Sequence, residues 1–288
     1  MNNYLFRPLD GLRSIKNEEV KSADTIEKFS ILEGLIKSKP DGRVTKLALL
    51  FYFISVIQGK IPFYVKGGII MQYYLNDKAR MTNDLDIITN ISLKEFIDKL
   101  NNVFDKEYDG LSFKINKVLE NKANEYYYYD TFNVIINVYC NNNYYDEIVI
   151  DGIYNSFYER VDYLKYDIPS IIKPNSYFYG VRIEYVMAEK IMAITNELKR
   201  PYKHLIDVYN LISCDIDIIN LKKHLDIILA SDNCIRTRIG KNNISYEYFI
   251  SDKKVFNGSF ILDSIQAGIN IDFEEMRDFV NSWMKKNL

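Results

Sequence analysis

Lys66-Gly67-Gly68, followed after a short helical run by Arg80-Met81-Thr82-Asn83-Asp84-Leu85-Asp86, is the stretch that decides the fold. Phe63-Tyr64-Val65 ahead of it has the β-branched and aromatic content of a strand. The glycine pair breaks that strand, residues 69–75 read as a helix, and residues 85–89 read as a second strand. Side chains at i and i+2 of a strand share a face, so Asp84 and Asp86 project together, their backbones ~7 Å apart. Two carboxylates on one face suit a hard cation such as magnesium, or manganese in its place. Magnesium takes a few carboxylates plus water and phosphate oxygens. Glycine at a strand-to-helix turn lets the backbone approach a phosphate closely. The helix N-terminus beyond it offers free N–H groups and a favourable dipole. Alone, an Asp-x-Asp is most often a solvated edge and a Gly-Gly most often a turn. Their succession in this order is a phosphate-and-metal arrangement.

Upstream, Pro40-Asp41-Gly42 is a turn signal, and residues 25–37 read as a short helix in an N-terminal helical extension over 1–42. Residues 44–57 read as a helix that stops near Gly59. Its apolar run LALLFYFISVI is too short to span a bilayer, so it is expected to be buried. Downstream comes a helix over 93–104, with Ser92 as N-cap and Glu95 completing a capping box. Strand-like runs cover 111–118, 131–139 and 147–151, and Asn141-Asn142-Asn143 reads as the hairpin turn between the last two. After about Ile171 the pattern turns helical, over 182–196, 203–213, 221–229 and 273–284. The expected architecture is α+β. A mixed β-sheet with flanking helices fills 43–170, and a C-terminal helical domain fills 171–288.

The 288 residues are long enough to bury a real core, and 48% hydrophobic with 26% charged is an ordinary globular balance. A net charge of −2 excludes a protein that coats itself with nucleic acid, so any such binding must use a local basic patch. Cys140, Cys214 and Cys234 stand far apart, and with only His204 and His224 beside them a zinc site is not expected. The first twenty residues hold no apolar run of a secretory signal, so the expected location is the cytoplasm, with no membrane partner.

Lys-Gly-Gly followed by Arg-x-Thr-x-Asp-x-Asp resembles the AbiEii/AbiGii toxin family of nucleotidyltransferases. That family sits in the DNA polymerase β-like nucleotidyltransferase superfamily and supplies toxins of toxin–antitoxin and phage abortive-infection systems. The resemblance runs from about Phe63 to Leu211. It implies transfer of a nucleotide from a nucleoside triphosphate to an RNA acceptor, a tRNA 3′ end being the natural candidate, and a cognate antitoxin. It implies that Asp84 and Asp86 bind the metal, and that Lys66, Gly67, Gly68 and Arg80 hold the triphosphate. The family places Thr or Ser after the glycines, whereas Ile69 stands here.

Further candidates lie downstream. Asp151 ends the strand Glu147-Ile148-Val149-Ile150-Asp151 and is the candidate third carboxylate, for the metal or as a general base. Asp130 and Asp146 compete with it, and Asp151 before Gly152 is also good turn chemistry. Ile183, Met187, Lys190 and Ile194 share a helix face, so Lys190 interrupts an apolar stripe. Its expected role is to reach the nucleotide phosphates; the plain alternative is a snorkelling lysine. Glu189-Lys190 resembles the family's helical Glu-Lys pair. Residues 203–211 resemble its last motif, a basic residue and then Asp-x-x-Asp-Leu, with Asp207 matching the first Asp and Asn210 replacing the second. Asp207 is expected to orient Lys190 or to contact the nucleotide. The basic residues Lys199, Arg200, Lys203, His204, Lys222, Lys223, Arg236, Arg238 and Lys241 make the helical half the candidate for holding an acidic acceptor. Tyr126 to Tyr129 are expected to pack on the sheet rather than stack on bases. Two other readings remain open: a small-molecule acceptor such as an antibiotic, and a nucleotide-binding protein that acts through a partner without turnover.

Overall fold

The computed structural model describes residues 43–75, 79–80, 82–122, 130–154, 160–169, 172–195, 200–243, 245, 248–250, 256–257, 269 and 271–288. The expected N-terminal extension, its helix over 25–37, the turn at 40–42 and the Tyr126–Tyr129 run lie outside these residues.

Helix α1 (Arg43–Ile57) is apolar nearly all round and is buried accordingly, with Leu50, Phe51, Phe53, Ile54 and Ile57 wholly enclosed. Phe53 packs edge-on to Phe113 with ring centroids 5.3 Å apart. This is the behaviour of a helix inside a core rather than on a surface. After it come β1 (Tyr64–Val65), α2 (Gly67–Leu75), β2 (Asp84–Thr89) and α3 (Leu93–Phe104). Ser92 caps α3 by accepting from the Glu95 amide at 3.2 Å. Strands β3 (Leu111–Asn121), β4 (Thr131–Cys140) and β5 (Asn143–Tyr154) form an antiparallel meander. The β4–β5 hairpin turns on Asn141 and Asn142, both at positive φ (48° and 65°). Two consecutive positive φ values match the twist of the flanking strands, and asparagine tolerates them.

The segment read as purely helical after Ile171 opens instead with a strand. β6 (Tyr163–Asp167) and β7 (Tyr177–Val181) pair antiparallel, and β7 joins β1 in parallel. The sheet therefore continues past residue 170. The strand escaped the sequence reading because YFYGV runs with one intervening residue into a strongly apolar helix, leaving no alternation of its own. Phe178 and Gly180 do face the core, while Tyr177 is exposed. The seven strands are ordered β3-β4-β5-β2-β1-β7-β6. β2 and β5 lie parallel at the centre, between antiparallel neighbours.

Among the described residues the helices that follow are α4 (Ile183–Thr195), α5 (Tyr202–Leu211), α6 (Ile218–Arg238) and α7 (Phe273–Asn287). α6 is much longer than the run expected over 221–229. It begins at Asp217, which caps the Ile219 and Asn220 amides, and Arg236 and Arg238 complement the dipole at its end. Strands β8 (Arg200–Pro201) and β9 (Phe256–Asn257) form a separate two-stranded sheet. Among the described residues no helix is long and apolar enough to cross a membrane.

Candidate active site

The parallel pairing of β2 with β5 sets Asp86 directly opposite Asp151 and Asp84 opposite Val149. Residues paired across neighbouring strands share a face, so Asp84, Asp86 and Asp151 project together from the middle of the sheet. The competitors stand elsewhere. Asp146 bonds Lys46 at 3.2 Å, and Asp130 lies 3.4 Å from Arg238. A cavity of about 330 Å³ opens over the three carboxylates. Gly68, Arg80, Lys190 and Asp207 also line it, together with Lys203 and His204.

Both glycines are demanded by this wall. Gly67 sits at φ 63°, and a Cβ there would overlap the Asp86 carboxylate. A Cβ on Gly68 would overlap the Thr82 hydroxyl. The start of α2 thus lies hard against the carboxylate strand. The Lys66 amide donates to the Asp86 carbonyl at 2.9 Å, and the Gly68 amide lies 3.5 Å from Asp86 Oδ2. Thr82 completes the wall, its hydroxyl 3.3 Å from Asp84 Oδ1. Ile69, where a hydroxyl is usual, is buried in the core.

Lys66 is buried rather than exposed in the cavity. Its ammonium is held by both Glu189 oxygens at 2.9 and 3.1 Å, and it is not among the lining residues. Burial alone would lower its pKa, but Glu189 and Asp86 more than reverse that and keep it charged. Lys66 is thus a buried counter-charge beneath Asp86. The sequence had offered Glu189 only as the neighbour of Lys190.

On the helical side, Asp207 is fully buried on α5 and collects cations. Arg80 grips it in a fork, Nε to Oδ1 and Nη2 to Oδ2, both at 2.8 Å. Lys190 Nζ from α4 lies 3.5 Å away and His204 Nδ1 3.8 Å away. Burial pushes the Asp207 pKa up, but Lys190, His204 and Arg80 together hold it below the usual carboxylate range. His204 is pushed down to about 3, by burial first and then by the Lys190 charge, so it is a neutral imidazole at physiological pH.

The sheet acids behave oppositely. Burial raises the Asp86 pKa, opposed by Lys66 and Lys190 and assisted by Asp84. Asp151 is raised to about 6, by burial and then by Asp86 and Asp84. The Asn133 side-chain amide, opposite Asp151 on β4, donates to it and partly offsets that shift. Acids that raise one another's pKa form a site that gains by taking up cations. The donor chemistry fits a hard ion. Even so, among the described residues no group of three or more His, Cys, Asp or Glu is arranged to hold a metal ion. The expected three-carboxylate metal set of Asp84, Asp86 and Asp151 is thus not preformed; a magnesium ion there would need water and phosphate oxygens beside one or two of these acids.

Of the residues expected from sequence, Asp84, Asp86, Asp151, Gly68, Arg80, Lys190 and Asp207 meet at one cavity. Gly67 and Lys66 support it from beneath. Of the basic residues, Lys203 and His204 reach the cavity, Lys223 bonds Asp162 at 2.7 Å, and Arg238 bonds Asp130. Lys199 and the Arg200 side chain lie outside what is described. Asn133 and Met71 were not anticipated, and Thr82 was quoted only as a position of the Arg-x-Thr-x-Asp-x-Asp motif.

The sequence matches the family model for the nucleotidyl transferase AbiEii toxin of type IV toxin–antitoxin systems over residues 48–280. No curated protein sequence matches it. Among solved structures it is similar to MenT4, a nucleotidyltransferase toxin from Mycobacterium tuberculosis. The TM-score is 0.55 at 12% identity, covering 93% of this chain and 88% of that one. It is also similar to JHP933 from Helicobacter pylori, with a TM-score of 0.44 at 12% identity over 85% of this chain and 94% of that one. The likeness to MenT4 concerns the fold. The family match spans most of the chain, including both walls of the cavity. The chain is therefore a nucleotidyltransferase that belongs to the AbiEii toxin family of type IV toxin–antitoxin systems, with a nucleoside triphosphate substrate and an antitoxin partner implied by that membership.

Proposed function

We propose that this chain transfers a nucleoside monophosphate from a nucleoside triphosphate to the 3′ end of an RNA, with a tRNA as the leading candidate. In this reading it acts in the cytoplasm as the toxin of a phage-defence toxin–antitoxin pair. The observation that carries the reading is one cavity with opposed walls, three carboxylates on the sheet and a cation cluster around Asp207 on the helices.

Asp84 and Asp86 would hold magnesium or manganese. When bound, the ion would neutralise phosphate charge and polarise the reacting oxygens. Asp151 accepts the proton of the acceptor hydroxyl as its oxygen bonds to the α-phosphorus. The α–β bridging bond breaks, and pyrophosphate leaves with the electron pair. Arg80, Lys190 and Lys203 face the developing negative charge from the helical wall. Asp207 holds Arg80 and Lys190 in place. Gly68 presents the amide end of α2 to the triphosphate.

The test is incubation of the full chain with each labelled triphosphate and magnesium, offered total RNA, a protein lysate and aminoglycosides in parallel, wild type against Asp84→Ala. Label entering RNA only with wild type supports the proposal. Label confined to a small molecule sinks the RNA acceptor, and growth arrest that survives Asp84→Ala sinks the enzymatic mode of toxicity.

A further inference from the structure

The pairing registers extend the catalytic row beyond Asp151. Asp86 on β2 faces Asp151 on β5, which faces Asn133 on β4, which faces Leu119 on β3. The neighbouring row runs from Asp84 through Val149 and Ile135 to Lys117. Lys114, opposite Asn137, points to this same face. The carboxylates are thus one end of a shelf that reaches the free edge of the sheet, since β3 is the outermost strand.

The two faces of these strands differ sharply. On the opposite face Phe132, Val134, Ile136, Ile148 and Ile150 are wholly buried. On the shelf Ile135 and Val149 are only half-buried, Leu119 is 42% exposed, and Lys114 and Lys117 are exposed. Among the described residues no ion pair engages either lysine. The cations at Arg80, Lys190 and Lys203 share the cavity with the three carboxylates. The shelf leaves that cavity through Asp151, since β4 and β3 lie on the far side of β5 from β2.

We propose that this open face of β3, β4 and β5 seats the last unpaired nucleotides of the acceptor RNA, with Lys114 and Lys117 holding its phosphates. The inference rests on the reading that the acceptor is RNA. A flat sheet face with apolar side chains suits bases that are not paired, whose planes need surface and whose edges are free. Leu119, Ile135 and Val149 provide that floor. The shelf's own acid, Glu147, lies two residues along β5 from Val149, at the end away from Asp151. Lysines on an edge strand also guard against strand addition. That role does not require both to point onto the catalytic face, as they do here.

The experiment uses the full chain, a fluorescent hairpin RNA with a short unpaired 3′ tail, and a non-hydrolysable triphosphate analogue as an independent probe. The Lys114→Glu/Lys117→Glu variant is expected to weaken tailed-RNA binding about tenfold or more, with a shallower salt dependence. Its analogue affinity and melting temperature are expected to match wild type. In transfer, the KM for RNA rises while the KM for triphosphate holds. Unchanged RNA binding by the variant overturns the shelf and leaves the RNA reading intact. Wild type that labels a small molecule and ignores RNA overturns that reading, and the shelf with it. Wild-type self-association abolished by the same substitutions, with RNA binding unaltered, gives the face to a second copy of this chain and overturns the proposal.

Discussion

Asp207 and Asp151 are carboxylates on opposite walls of one cavity, and the fold treats them in opposite ways. Asp207 is buried, forked by Arg80, approached by Lys190 and held below the ordinary carboxylate range. Asp151 is raised to about 6, by burial and then by Asp86 and Asp84, with the Asn133 amide and the Lys66 charge only partly offsetting them. The helical wall is complete within itself and holds its cations in place. The sheet wall concentrates negative charge that Lys66 and Lys190 offset only in part. A buried pair costs most when half of it is removed, whereas a cluster of like charges costs least when one member is neutralised. Substitutions that look equivalent should therefore move activity and stability in different directions on the two walls.

The largest effect is expected from Asp86→Asn. It removes a central acid of the sheet wall and should lower nucleotide transfer by roughly 10³-fold or more, as expected for loss of a cation-binding carboxylate. Thermal unfolding of the metal-free variant should occur at or above the wild-type temperature. Robust transfer by Asp86→Asn, or its collapse as a folded protein, would end the distinction between the walls. Asp207→Ala should act the other way round. It leaves Arg80 and Lys190 without their shared anion and should cost about 3–5 kcal/mol of stability, read from chemical denaturation midpoints. A melt indistinguishable from wild type would show that Asp207 does not anchor those cations.

Gly67→Ala probes the seam between the walls. At φ 63°, with Asp86 where the new Cβ would go, alanine is strained twice over. The expected cost is about 1–3 kcal/mol, with a loss of transfer larger than that stability loss explains, because Asp86 must shift. A variant as active and stable as wild type would refute the tight approach of α2 to β2.

The same seam shows how much was legible in advance. Alternation along residues 84–86 was enough to place Asp84 and Asp86 on one face, and the break at Gly67-Gly68 was enough to predict the helix after it. Asp151 was legible as an acid on an apolar strand, but it does not end that strand, which runs on to Tyr154, and its partner required the parallel register of β2 with β5. Asn133 was hidden for a sharper reason. Counting back from the Asn141–Asn142 turn sets Asn133 against Ile150, on the wrong face. The irregularity between Val138 and Tyr139 shifts the register by one and brings it to Asp151. Lys66 was misjudged because its partner Glu189 lies far along the chain, and only tertiary folding joins them. The expected boundary near 170 failed to anticipate β7, whose apolar content merges with α4.

The smallest and most diagnostic effect is the pH dependence of Asp151→Asn in metal-free protein. An unfolded aspartate titrates near 3.9, whereas Asp151 in the fold titrates near 6. Between those values the folded protein holds a proton that the unfolded chain has released, so wild-type stability falls as pH rises through this window. The penalty is absent below about pH 4 and fully present above about pH 6. Asparagine cannot ionise, so the variant should be more stable than wild type at neutral pH, and the advantage should vanish in acid. The partly open position of Asp151 limits the gain to on the order of 1 kcal/mol. Added magnesium should shrink it further, because a cation near the cluster relieves the same repulsion in wild type. A stability difference independent of pH, or one that grows with magnesium, would mean that Asp151 does not share the charge of Asp84 and Asp86. The sheet wall would then be a pair of acids with a bystander, and the contrast with Asp207 would have to be redrawn around Asp86 alone.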